Sequence, residues 1–117
     1  MTTPNLDRMR RHSYLEWTLW NQLDQERPRL PMPEWQYQIN GSGHKWDFGW
    51  ESQRVLAEVQ GGTYARGAHT RGAGYAADRI RSNLAQLDGW LVLEFTGGQV
   101  QDGTALDTIK MAMEGRR

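Results

Sequence analysis

The chain has 117 residues, 14 Lys and Arg against 14 Asp and Glu, and no cysteine. That length suits one domain with one core, and the missing cysteines exclude a disulfide framework, a thiolate zinc site and a cysteine nucleophile, leaving oxygen or imidazole to hold any metal. No run of 18 apolar residues occurs, and the basic start MTTPNLDRMRRHSY lacks the apolar stretch of a signal peptide, so the expectation is a cytoplasmic protein with no membrane partner.

Residues 1–12 read as a flexible arm ahead of a single domain over 13–117. SYLEWTLWNQLDQER, Ser13 to Arg27, places Leu15, Leu19 and Leu23 at i, i+4, i+8 and opens with Ser13 and Glu16 in capping-box spacing, which predicts a helix. PRLPMP, Pro28 to Pro33, ends it. EWQYQIN then alternates Trp35, Tyr37 and Ile39 against glutamines; after a Gly41-Ser42-Gly43 turn, KWDFGW alternates Trp46, Phe48 and Trp50 against Lys45, Asp47 and Gly49. Both predict half-buried strands. RVLAEVQ, Arg54 to Gln60, predicts a third, with Glu58 and Gln60 on one face.

A glycine-rich segment follows, and GYAADRIRSNLAQLDGW predicts a helix with Ala73, Ala77, Ile80, Leu84 and Leu87 inward and Gly89 as its stop. WLVLEF is apolar enough for a central strand covered on both faces. TALDTIKMAM predicts a last helix, opened by Thr104 and Asp107, with Leu106, Ile109 and Met113 inward. The expected order is α-β-β-β-α-β-α: an α/β domain with a mixed sheet of about four strands flanked by helices.

Charge is uneven along this frame. Pro33 to Gln60 carries Glu34, Asp47, Glu51 and Glu58 against Lys45 and Arg54, whereas Gly61 to Leu87 carries Arg66, Arg71, Arg79 and Arg81 against Asp78, plus His69. An acidic centre beside a basic rim is one reading of that pattern, and scattered solvated charge is the other.

If the second and third strands form a hairpin with a symmetric turn around Ser52 and Gln53, Asp47 faces Glu58. Opposed like charges cost stability unless a cation lies between them. Two carboxylates and a neighbouring carbonyl make a hard oxygen site suited to Mg²⁺ or Mn²⁺, which can activate water against a phosphodiester. The competing reading is two polar residues on the open face of a hairpin.

In the next segment, Gly61, Gly62, Gly67, Gly72 and Gly74 leave backbone amides uncovered near a helix start, and Arg66, His69 and Arg71 add donors, a plausible clamp on a phosphate backbone. His69 has three readings: general base, phosphate contact or structural residue. No G-K-[ST] occurs, so nucleotide hydrolysis is not indicated. Six tryptophans are present; Trp46, Trp50 and Trp90, with Phe48, read as core, while Trp17 and Trp35 could form a homodimer surface.

The ordered segments WDFGW, LAEVQGG, GAHTRGAGYAAD and GWLVLEFT, spanning most of the chain from about Ser13 to Met113, resemble the small phage and bacterial endonucleases of the PD-(D/E)xK superfamily, related in fold to very-short-patch repair and Holliday-junction-resolving nucleases. The resemblance implies a restriction-endonuclease-like fold and Mg²⁺-dependent cutting of duplex or branched DNA. It makes Asp47 and Glu58 the acids of the first and second motifs and Glu16 the first-helix glutamate. Gln60 stands where the family usually has lysine, so the implied metal set is Asp47, Glu58 and Gln60, with an amide that orients water but carries no charge. Arg81 takes the place of a basic residue on the second helix, in a row with Asp78 and Ser82, and Arg66, His69, Arg71 and Arg79 are left to contact phosphates. Glu16 equally fits a simple helix cap, and Arg81 a solvated partner of Asp78. The missing lysine also admits a catalytically degenerate DNA-binding module, and the aromatic load admits an assembly protein.

Overall fold

The computed structural model describes residues 3–40, 43–60 and 68–116, with the side chains of 68–73 excepted. Nine elements follow in chain order: α1 (Leu6–His12), α2 (Tyr14–Asp24), β1 (Glu34–Tyr37), β2 (Trp46–Trp50), β3 (Val55–Val59), α3 (Ala68–Leu87), β4 (Leu91–Phe95), α4 (Gly97–Gln101) and α5 (Thr104–Gly115). The strands form one mixed sheet in the order β1-β2-β3-β4: β1, β2 and β3 are antiparallel neighbours, and β4 lies parallel to β3 after the α3 crossover. The coarse class expected from the sequence, an α/β domain with a four-stranded mixed sheet flanked by helices, is therefore present.

Two apolar clusters cover the two faces of the sheet. The larger joins Met9, Leu19, Trp20 and Leu23 of the first two helices to Phe48, Trp50, Val55 and Ala57 of the strands and to Val100, Ile109 and Met113 beyond β4. The smaller joins Tyr37, Trp46 and Leu56 to Ala85 of α3 and to Trp90. Each large side chain fully removed from water contributes about 1.5 to 3 kcal/mol, so the helices are held chiefly by what they bury.

Several expectations need correction. The arm expected over 1–12 is a helix from Leu6: Asn5 Oδ1 caps Arg8 N at 3.0 Å, and Met9 is completely buried against α2. Leu6 and Met9 alone among polar residues make too short a pattern to read as a helix. The apolar stripe expected to face inward on α3 faces out: Ile80, Leu84 and Leu87 are 58%, 61% and 85% exposed, while Ser82 and Ala85 are buried. Small residues win the inner face because they let the helix approach Leu56 and Trp90 closely. The same rotation brings Asp78 and Arg81 to half-buried positions, and Leu84 borders a cavity of about 200 Å³ lined also by Ile39, Trp46 and Arg81.

WLVLEF is the edge strand β4, half-buried, and not the central one; β2 and β3 take the middle. The short α4, not expected at all, has a full capping box of Thr96 with Gln99. Helix α5 is opened by Gly103 at φ 89°, with Asp102 accepting from Thr104 N, in place of the Thr104–Asp107 pair. Trp17 and Trp35 are half-buried and pack partly against the main core. The buried positions of Trp46, Phe48, Trp50 and Trp90 agree with the reading as core.

Strand β1 also breaks its alternation. Gln36 has φ 59°, and Trp35 packs on the larger cluster while Tyr37 belongs to the smaller. Tyr37 then lies across Gly49, where an added Cβ would meet the Tyr37 Cγ at 2.4 Å. We expect Gly49→Ala to lower stability by about 1 to 3 kcal/mol, read by chemical denaturation, and Gly43→Ala, in open space, to change it far less.

Candidate functional site

The register of the β2–β3 hairpin decides which side chains meet. Phe48 pairs with Ala57, Gly49 with Leu56 and Trp50 with Val55 across a four-residue turn, Glu51 to Arg54, and the same register sets Asp47 against Glu58 as the spacing required. Here side chains take over from the backbone ladder: Asp47 N–H donates to Glu58 Oε2 at 3.1 Å and Val59 N–H donates to Asp47 Oδ2 at 2.8 Å. Each acid thus grips the opposite strand, which fixes both without a partner cation.

Glu16 arrives from α2. Ser13 Oγ accepts from Glu16 N at 3.1 Å, but the Ser13 N–H donates to Met9 O at 2.8 Å and so is taken by the end of α1. The Glu16 carboxylate instead accepts from Trp35 Nε1 at 2.7 Å and reaches Asp47, and Glu16 is 5% exposed. Its role is therefore more than a cap. Glu16, Asp47 and Glu58 form a chain of carboxyls with Asp47 in the middle, hydrogen-bonded to both neighbours.

Burial and mutual repulsion shift these groups strongly. Burial first, and then the charge of Asp47, push Glu16 up to about 7 and Glu58 up to about 8. Burial also raises Asp47, opposed by the Val59 N–H and by hydrogen bonds from Glu58 and Glu16. Near neutral pH Glu16 and Glu58 therefore stand close to their points of titration.

His44, which the sequence reading did not single out, stands beside this chain with Nε2 3.2 Å from Glu58 Oε1 and its ring edge-on to Trp46 at 4.9 Å. Burial, and then the nearby Arg81 charge, hold its pKa below the usual value. Glu94 was also missed. The parallel register places it beside Glu58, on the next strand, and Arg79 pairs with it at 2.9 Å while lying over Tyr75. A lone acid inside WLVLEF was the available signal; its partner strand was not readable without the crossover.

The other expected residues divide as follows. Arg81 is ion-paired with Asp78 and half-buried near His44, close to the carboxyl chain. Gln60 donates its N–H to Phe95 O at 2.6 Å just past β3, and its side chain has no hydrogen-bond partner among the described residues. Arg79, expected as a phosphate contact, is paired with Glu94 at 2.9 Å and keeps part of its side chain exposed. Arg66 and the glycines Gly61, Gly62 and Gly67 lie outside the described residues, as do the side chains of His69 and Arg71.

Asp47 and Glu58 offer hard oxygen donors of the kind Mg²⁺ and Mn²⁺ take, although among the described residues no group of three or more His, Asp or Glu side chains is arranged as a metal cage. Among them, too, no helix is long and apolar enough to cross a membrane. Compared with protein-family models, curated proteins and solved structures, the chain matches none. The site must therefore be judged on its own chemistry.

That chemistry sets a pH dependence. Glu16 and Glu58 have raised pKa values, so the folded chain holds protons that the unfolded chain releases above about pH 4.5. Their contribution to stability is complete below that pH and is lost as pH rises through 7 to 8. We expect the metal-free protein to melt roughly 5 °C or more lower at about pH 8.5 than at about pH 6, and Glu58→Gln, which mimics the protonated acid, to flatten that fall.

Proposed function

We propose that the chain is a metal-dependent DNA endonuclease of the PD-(D/E)xK kind, with a restriction-endonuclease-like fold, hydrolysing phosphodiester bonds at Glu16, Asp47 and Glu58. The observation that carries this reading is the buried carboxyl chain itself: three acids brought together from α2, β2 and β3, two of them with pKa values at or above neutrality. A fold that only needed polar surface would have no reason to bury them together, whereas a cation-binding centre does.

In this reading Asp47, Glu58 and Gln60 would hold Mg²⁺ or Mn²⁺, which would supply Lewis acidity at a scissile phosphate, with Glu16 as a further acid of the site. The Gln60 amide hydrogen-bonds the attacking water, and since it neither carries charge nor takes up a proton it is a positioning group and not a base. Arg81, exchanging Asp78 for a phosphate oxygen, neutralises the substrate, while Arg66, Arg71 and His69 contact flanking phosphates. Branched DNA, including four-way junctions cut by a symmetric pair of chains, is the substrate class the resemblance favours.

A second reading has its own support. Gln60 in place of lysine, with no ready cage of ligands among the described residues, suits a DNA-binding module whose catalytic centre is idle. The two separate on cleavage of labelled single-stranded, duplex, forked and four-way-junction DNA with Mg²⁺, Mn²⁺ or EDTA. The nuclease cuts only with metal, and Glu58→Ala and Asp47→Asn lose about 100-fold or more of that cutting while still binding DNA. Binding without cutting by the folded wild type establishes the module instead.

A further inference from the structure

Helix α1 is the part of the chain that the carboxyl centre leaves unexplained. Its seven residues, LDRMRRH, hold three arginines and a histidine, and none of Arg8, Arg10 and Arg11 forms an ion pair among the described residues. The helix is nevertheless fixed, capped by Asn5 and anchored by the fully buried Met9. Arg8, Arg11 and His12 fall at i, i+3, i+4 and share one side, whereas Arg10 turns the other way, 5.2 Å over the Trp17 ring.

The side bearing Arg8 and His12 borders the centre. The Arg8 guanidinium lies 5.3 Å over the Trp35 ring, His12 meets that ring edge-on at 5.7 Å, and the same indole donates to Glu16. His12 Nε2 is 3.9 Å from Glu16 Oε2. A guanidinium held over an aromatic face satisfies none of its N–H donors by that contact and keeps them for another partner. Arg8 thus stands beside the indole that donates to Glu16, next to the acidic centre.

We infer that α1 is a phosphodiester-binding element: Arg8 and Arg11, with His12, grip the DNA backbone and bring the neighbouring phosphate to Glu16, Asp47 and Glu58. The inference rests on the nuclease reading for its ligand but assigns the contact to a helix outside the glycine-rich segment. With no carboxylate partner among the described residues, Arg8 and Arg11 are left open to a phosphate of the substrate.

The test is binding of a labelled duplex to full-length wild type, Arg8→Gln/Arg11→Gln, Arg8→Lys/Arg11→Lys and Arg10→Gln, in EDTA, over a series of salt concentrations. Arg8→Gln/Arg11→Gln should weaken binding on the order of ten-fold and reduce the slope of log K against log salt by about two, one for each phosphate that is no longer neutralised. The lysine pair should keep the slope, and Arg10→Gln should match wild type. Since Arg8 also packs on Trp35, melting temperatures accompany each titration, and retention of the slope by the lysine pair separates the effect of charge from that of packing. If wild type binds and the glutamine pair matches it in affinity and slope, α1 does not hold the backbone, while the endonuclease reading is untouched. If wild type binds no DNA at low salt, both fall.

Discussion

The pairing of β2 with β3 governs the centre. One hairpin register sets Asp47 against Glu58, and each carboxylate then hydrogen-bonds a backbone N–H of the opposite strand, Asp47 to Val59 and Glu58 to Asp47. A slip by one residue would send one of the two acids to the other face of the sheet and leave both amides open. The apolar pairs Phe48–Ala57 and Trp50–Val55, all buried, resist such a slip, so the core packing and the geometry of the acids are enforced by the same ladder. Helix α2 depends on this arrangement in turn, since Glu16 has its place only because Asp47 and Trp35 meet it.

Electrostatics then distinguishes the members of the acidic row. Glu94 lies beside Glu58 in the parallel register, yet Arg79 pairs with it and it stays exposed. Glu58 and Glu16 have no arginine against them among the described residues and respond by holding protons. Neighbouring carboxylates on one sheet thus solve the same problem of repulsion in two ways, by an ion pair at the edge and by a raised pKa inside. The difference marks the interior acids as the chemically unusual ones.

Where the chain repeats with a clear period, its sequence was sufficient. The places of β2 and β3, the symmetric turn between them and the helix carrying Leu19, Trp20 and Leu23 follow from alternation or helical spacing, but β2 is not the half-buried strand expected: Gly49 is buried too, and Trp46 packs with Leu56, apart from Phe48 and Trp50. Helix α3 did not, because its larger apolar residues, Ile80, Leu84 and Leu87, lie outside while Ser82 and Ala85 pack inward; close approach to Trp90 and Leu56 outweighed hydrophobicity. The strand order failed for a similar reason, since an apolar run such as WLVLEF does not reveal whether one or both of its edges find partners. Asp47 and Glu58 were legible from the register, but His44 and Glu94 were not, since each joins the centre only through a turn or a crossover that no local pattern encodes.

The indole of Trp35 has a consequence for how the molecule can be observed. Its N–H is 2.7 Å from a carboxyl that changes charge near neutral pH, while a guanidinium lies over its ring. An excited indole is sensitive to both the field and the proton donors around it, so the emission of this residue carries a record of whether Glu16 is ionised. The chain therefore contains its own optical indicator for the state of its carboxyl centre, placed between that centre and α1, with no label required.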